Sequence, residues 1–254
     1  MRCGVLIIEK YFYEAFNGMK RFGPGSDEST LRAIKMFPAN TSRLKILDIG
    51  CGIGTHTLIL AKHFPEADII AIDNHAPHIE KLNEAAAKRG DSCRIHGIVM
   101  SMFEMTFENE SFDLIWSEGA AYIAGFSHAI RDWKRLLKPN GYIICSEISW
   151  ISDAPSEESK LFWKEGYSEM NTVACKIKQI QEQGYDCTGH FICPVSDWTV
   201  NYYEPIARNL KKMEERYRGN TQAMEAVQNL RDEIILYKKH PADYSYVFYA
   251  MKKK

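Results

Sequence analysis

The chain lacks paired cysteine motifs, long apolar runs and any surplus of charge, and each lack removes a class of protein. Its seven cysteines, Cys3, Cys51, Cys93, Cys145, Cys175, Cys187 and Cys193, are odd in number and form no Cys-x-x-Cys. A disulfide framework or a zinc site therefore has no support. Most of them read as core thiols in a reducing compartment; a thiol role stays open for Cys175, Cys187 and Cys193. His56, His75, His78 and His128 show no metal-ligand spacing. Lysine and arginine number 32 against 33 acidic residues, a net charge of −1. That balance lacks the clustered basic excess of a nucleic-acid surface, and Lys252, Lys253 and Lys254 read as a solvated tail. No apolar stretch approaches the ~20 residues that span a bilayer. Val5-Leu6-Ile7-Ile8, followed by Glu9, is too short for a signal-peptide apolar region. The expectation is a cytoplasmic protein, monomer or homodimer, with no nucleic-acid or membrane partner.

What is present is an alternation. With 45% hydrophobic residues over 254 positions, the chain can bury a sizeable core. Short apolar runs at 44–49, 67–72, 94–100, 112–116 and 142–147 read as strands. Helical patterns at 55–63, 76–88 and 128–137 separate them, the last stopped by Lys138-Pro139-Asn140-Gly141. Such alternation predicts a mostly parallel, doubly wound sheet with helices on both faces. Beyond it, 155–180 looks helical with a turn near Gly166, and 184–194 holds a sixth strand. Two amphipathic helices follow at 197–218 and 221–239, and an aromatic last strand at 244–251. The expected organisation is a single domain over 1–254, with an N-terminal lid at 1–40 and a helical insertion at 195–243 capping the active edge.

The strongest signal is Ile46-Leu47-Asp48-Ile49-Gly50-Cys51-Gly52-Ile53-Gly54-Thr55, three alternating glycines between a strand and a helix. Glycines let the backbone turn tightly and admit a ligand against the main chain, and the helix that follows presents free N–H groups. Asp48 puts a carboxylate at the strand's end, suited to a ligand's ammonium and hostile to a pyrophosphate. Asp73 ends the second strand 73 − 54 = 19 residues past the last glycine. An acid there can accept hydrogen bonds from both hydroxyls of a ribose.

Asp48 to Thr55, with Asp73, Phe112-Asp113-Leu114-Ile115-Trp116 and Leu136-Leu137-Lys138-Pro139-Asn140-Gly141-Tyr142, closely resembles the core of class I S-adenosylmethionine-dependent methyltransferases, over roughly residues 40–150. Gly23-Pro24-Gly25-Ser26 and Trp116-Ser117-Glu118-Gly119 look like an uncharacterised bacterial and archaeal small-molecule subgroup. The resemblance implies a Rossmann-like seven-stranded sheet whose last strand is antiparallel. It implies S-adenosylmethionine as cofactor, with Asp48, Gly50, Gly52 and Gly54 at its methionine moiety, Asp73 at its ribose and Asn74 beside its adenine. Ser101 and Met102 fall where an acid and its neighbour usually meet the adenine, and Ser101 departs from that acid. Ser117-Glu118-Gly119-Ala120 stands where DNA-base and amide methyltransferases commonly carry Asn/Asp-Pro-Pro-Tyr/Phe, which weakens those substrates.

Ligands of open parallel sheets bind beyond the carboxyl ends of the strands, at the switch point. This puts Glu118 near the transferring methyl as candidate general base, substrate ligand or contact to the cofactor's amino group; bonding a backbone amide is its structural alternative. Arg21, Tyr122, Trp150, Trp198 and Tyr202 are the candidate substrate contacts, with Tyr203 beside them. Each aromatic fits packing as readily as contact, and together they would suit an electron-rich or cationic acceptor. The expected activity is methyl transfer to a small molecule. A non-catalytic protein that binds the same cofactor is the alternative. The Gly-x-Gly-x-Gly spacing and Asp48 disfavour a nicotinamide oxidoreductase.

Overall fold

The computed structural model describes residues 11–38, 43–167 and 169–254. Cys3, the Val5–Ile8 run and the ends of the 1–40 segment lie outside them.

Seven strands form one sheet: β1 Lys45–Ile49, β2 Asp68–Asp73, β3 Ile95–Val99, β4 Phe112–Glu118, β5 Leu137–Trp150, β6 Tyr185–Ile192 and β7 Tyr244–Lys253, in the order β3-β2-β1-β4-β5-β7-β6. The first five strands pair in parallel, and β7 runs antiparallel between β5 and β6. This is the expected Rossmann-like arrangement. The parallel strands are apolar on both faces because helices cover both. Ile46, Leu114, Trp116 and Ile144 belong to the core on one face, Leu47, Ile49, Ile115 and Ile143 to that on the other. The strand order reverses between β1 and its neighbours β2 and β4, so a crevice opens beyond their carboxyl ends.

Several boundaries differ from expectation, each for a local reason. Gly125, at φ 77°, separates a single turn Ala121–Ala124 from the helix Phe126–Trp133, so helix begins earlier than 128. A 3-10 turn, Lys134–Leu136, then leads directly into β5. The Pro139 turn is an excursion inside β5: Phe112 pairs with Leu137 and Leu114 with Tyr142, and Asn140 takes φ 61°. β4 continues past Trp116 because Ser117 and Glu118 pair with Cys145 and Ser146. β5 continues to Trp150 because β7 pairs with it up to Tyr244.

The helical insertion comprises Val195–Trp198, a π-helical turn Thr199–Tyr203, Glu204–Arg216 and Thr221–Lys239. The uninterrupted helix expected from 197 is thus broken, and Pro205, which lacks an N–H for the carbonyl four residues back, is the local cause. Aromatic rings lock the insertion onto β7: Trp198 stacks on Tyr237 at 4.8 Å and on Tyr246 at 5.5 Å, and its indole N–H donates to Ser245 Oγ at 3.0 Å. The insertion also grips the N-terminal segment. Asn209 Nδ2 donates to the carbonyls of Ala15 and Asn17 at 2.9 Å each, and Tyr217 Oη donates to Glu14 at 2.7 Å. No helix among the described residues is long and apolar enough to cross a membrane.

Candidate cofactor and acceptor cleft

The crevice is lined by the Gly50–Ile53 loop, Asp73 and Asn74 after β2, Met100 to Phe103 after β3, Glu118 to Ala120 after β4, and Tyr122 and Ile123 on the short helix beyond it. Phe12, Tyr13 and residues 20–24 close it from the N-terminal side.

The loop owes its shape to glycine. Gly50 has φ 73°, and a Cβ there would lie 2.5 Å from Ala120 Cβ. Gly54 has φ 84°, and a Cβ there would lie 2.2 Å from Leu82 Cδ1, so the helix Thr55–His63 can start against its neighbour only with a bare backbone. The N–H groups of Gly50 and Cys51 both donate to Ile72 O, at 2.9 and 3.0 Å, which ties the loop to β2. Phe22 lies over Gly52, 3.2 Å from where its Cβ would be.

Asp73 pins the same loop from below. Its Oδ2 accepts from Gly52 N at 2.9 Å, and its Oδ1 accepts from His75 N at 2.9 Å and meets His78 Nδ1 at 3.3 Å. Burial alone would raise this carboxyl; the bonds from His78, His75 and Gly52 outweigh it and hold Asp73 below the usual range. It is therefore an ionised acceptor at the cleft wall. Asn74, Ser101 and Met102 line the cleft. Ser101 Oγ accepts from Phe103 N at 3.2 Å, which shapes the turn there.

Asp48 is placed differently from its expected role. It is 0% exposed, accepts from Thr57 Oγ1 at 2.5 Å and meets His56 Nε2 at 3.1 Å. It sits beneath the loop and does not line the cleft; His56, which does, stands between them. Burial would lower His56, but Asp48 and then Glu118 outweigh it and leave the imidazole raised. Cys51 is pushed far up by burial, then by Asp48 and Asp73, so it is an inert thiol.

Glu118 is held through both of its carboxylate oxygens. Its Oε2 accepts from Arg21 Nη1 at 2.8 Å, and its Oε1 accepts from Thr30 Oγ1 at 2.8 Å and Trp116 Nε1 at 3.0 Å. Arg21 Nη2 also donates to Asp27 Oδ1 at 3.0 Å and to Thr30 Oγ1 at 3.1 Å. Arg21, a candidate substrate contact from sequence, thus closes a clasp between the N-terminal segment and the end of β4. Both carboxylate oxygens of Glu118 are engaged, an arrangement that holds structure and leaves little room to take a substrate proton.

Of the other expected substrate contacts, Tyr122 lines the cleft, whereas Trp150, Trp198 and Tyr202 do not reach this part of it. Trp150 packs edge-on against Tyr244 at 6.2 Å, and Tyr202 lies 5.9 Å from Phe16. Sequence reasoning passed over Phe22 and Thr30, and noted of His78 only that it lacks metal-ligand spacing. His78 stacks on Phe22 at 4.4 Å and Tyr13 on His75 at 5.2 Å; no spacing rule signals these contacts, because they join the N-terminal segment to a distant helix. Among the described residues no cluster of three or more His, Cys, Asp or Glu could hold a metal ion.

A methyltransferase-domain family profile matches residues 40–216, and the chain belongs to that family. It is 25% identical over 178 residues to a sterol 24-C-methyltransferase of Gibberella zeae, covering 66% of this chain and 46% of that enzyme. It is 24% identical over 212 residues to a phosphoethanolamine N-methyltransferase of Triticum aestivum, covering 83% and 39%. The matched stretch is thus under half of either enzyme. Among solved structures, YjhP of E. coli superimposes with a TM-score of 0.83 at 19% identity, covering 96% of this chain and 100% of that one. An S-adenosylmethionine-dependent methyltransferase of Geobacter sulfurreducens, solved with S-adenosyl-L-homocysteine, gives 0.79 at 17%, covering 96% and 98%. At these identities the structural likeness speaks for the fold.

Proposed function

We propose that the protein transfers a methyl group from S-adenosylmethionine to a small-molecule acceptor. The observation that carries this is the pairing of a bare-backbone glycine loop with an ionised Asp73 on the wall of one cleft. The residues fit the cofactor: Gly50 to Gly52 admit it against the main chain, Asp73 accepts from its ribose hydroxyls, and Asn74, Ser101 and Met102 flank its adenine. Asp48 serves from beneath, fixing His56 and the loop. Family membership and the names of the matched relatives support the same activity.

The bound cofactor supplies a methyl already activated by its sulfonium. The chain's own contribution is alignment and exclusion of water, which can be worth on the order of 7–11 kcal/mol. Phe12, Tyr13 and Phe22 cover the cleft as the described part of a lid, and the Arg21–Glu118 clasp holds that lid to the sheet. The insertion at 195–243 braces the lid from outside and walls the acceptor side. A cytoplasmic monomer or homodimer acting on a small molecule is the setting we infer.

Isothermal titration with S-adenosylhomocysteine tests the cofactor site; no binding to folded protein would refute it. Transfer from labelled cofactor to a metabolite extract, read by mass spectrometry, tests turnover. Binding without any labelled product would favour a non-catalytic cofactor-binding protein.

A further inference from the structure

Asp48, the acid expected at the cofactor's methionine moiety, lies under the glycine loop, and the side chain that stands on the cleft wall in its place is His56. The ring is 7% exposed, and its Nε2 meets Asp48 Oδ1 at 3.1 Å. A carboxylate there makes Nε2 the donor. The second nitrogen, Nδ1, has no hydrogen-bond partner among the described residues, although the ring lines the cleft. Buried polar groups are nearly always bonded, so a largely buried ring with one nitrogen idle at a cleft wall points to a ligand.

A second feature of the same wall favours an anion. The helix Thr55–His63 starts there, and Thr55 and His56 both line the cleft. Gly54 caps this helix with no side-chain bond, and the first turn carries no acid. The N–H groups of Thr55 and His56 have no acceptor among the described residues. Unsatisfied N–H groups and the positive end of the helix dipole attract negative charge. The acids near this wall are already engaged: Glu118 by Arg21 at 2.8 Å, and Asp73 by Gly52 N, His75 N and His78 Nδ1. Against burial, Asp48 and then Glu118 hold the imidazole raised. That favours the form with protons on both nitrogens, in which Nδ1 is a donor.

We propose that His56, through Nδ1, and the N–H groups that open the helix Thr55–His63 recognise the carboxylate at the amino-acid end of the cofactor. Asp48 is then a positioning residue: it fixes the ring from behind and touches no ligand. The proposal rests on the cofactor reading given above and deepens it. The cleft selects adenosyl thioethers that bear an α-carboxylate and discriminates against those that lack it.

The test compares S-adenosylhomocysteine with its decarboxylated analogue, 5′-deoxy-5′-(3-aminopropylthio)adenosine, by calorimetry on the full chain. The wild type is expected to bind S-adenosylhomocysteine roughly ten-fold or more tightly than the analogue. His56→Gln keeps a donor for Asp48 and removes the charge; it should weaken S-adenosylhomocysteine several-fold and leave the analogue unchanged. His56→Ala should bring both affinities close together. The ratio is the readout because a general loosening of the loop weakens both ligands alike and leaves it unmoved. Equal binding of both by the wild type, or a ratio that survives both substitutions, would overturn the proposal and leave the cofactor site standing. A third ligand, the deaminated 5′-(3-carboxypropylthio)-5′-deoxyadenosine, checks the opposite polarity. If His56→Gln lost discrimination against that molecule instead, Nδ1 would be an acceptor for the ammonium and the carboxylate assignment would fall. No binding of any of the three by folded wild type would refute the cofactor reading, and this proposal with it.

Discussion

The glycine-loop wall of the cleft and the aromatic cluster of the helical insertion are made from different kinds of sequence. The loop wall is nearly continuous in the chain: Gly50 to Gly54 follow β1 directly, and Asp73 ends the adjacent β2. Its shape is set by main-chain bonds to Ile72 and Asp73. The cluster surrounds Trp198 with Tyr202 and Tyr203 from a π-helical turn, Tyr237 from a long helix and Tyr246 from β7. Ring packing between side chains holds those five residues together. A wall made of backbone binds what is common to many reactions, and a cluster made of side chains can be changed residue by residue. The difference separates a region fixed by main-chain geometry from one that single substitutions can reshape.

The largest expected effect breaks the loop wall at its anchor. Asp73→Ala removes the acceptor for Gly52 N and the proposed ribose contact, with hydrogen bonds to a charged group worth about 1.5–3 kcal/mol each. We expect S-adenosylhomocysteine to bind on the order of 100-fold more weakly, read by titration, while the circular-dichroism spectrum stays folded. An unchanged dissociation constant would remove Asp73 from the cofactor site. Next in size is Gly50→Ala, which forces a side chain to φ 73° and against Ala120. A cost of about 1–3 kcal/mol in urea unfolding is expected, together with weaker cofactor binding. If stability were unaffected, the loop would be more plastic than its contacts indicate.

The same contrast explains what the sequence made legible. β1, β2, their helices and Asp73 could be placed because local periodicity, glycine spacing and strand-end position act within about thirty residues. Asp48 was located correctly on its strand, but its side chain points under the loop, since Thr57 and His56 on the following helix satisfy it there. Glu118 was found, and Arg21 singled out, yet their bond spans 97 positions and no local rule pairs them. Glu233 carried no signal at all: on an amphipathic helix it reads as one more solvated acid. Its burial and its bond from Tyr203 appear only once the insertion has folded over β7.

A smaller, sharper test concerns the clasp that ties the N-terminal segment to the end of β4. Side chains of Arg21 and Glu118 are 11% and 9% exposed, so deleting one leaves the other partly desolvated. Arg21→Ala should cost about 1–3 kcal/mol and raise the Michaelis constant for S-adenosylmethionine several-fold by loosening the lid. Glu118→Gln retains an acceptor for Thr30 and Trp116 but loses the charge facing Arg21. If the clasp is the main role of both, the double variant will be little worse than either single one, a non-additive cycle. Loss of turnover in Glu118→Gln with stability and cofactor affinity intact would instead put Glu118 on the acceptor.

The smallest effect lies in pH dependence, at the residue between Asp48 and the cleft. His56 has its folded-state value raised, because Asp48 and Glu118 outweigh the lowering by burial. The fold therefore favours its protonated form. That contribution to stability is complete below the ordinary histidine value of about 6.5 and fades as pH rises through the raised one. Glu233, raised to about 7, acts in the same direction, since its buried acid is also better tolerated protonated. The wild-type chain alone thus cannot separate the two. His56→Gln can: it keeps a donor for Asp48 and no longer titrates. Urea midpoints measured from pH 6 to pH 9 should fall less in His56→Gln than in the wild type, and the difference should develop above pH 6.5. A parallel fall in both would mean that His56 binds its proton equally well in the folded and the unfolded chain, so that Asp48 and Glu118 give the imidazolium no advantage.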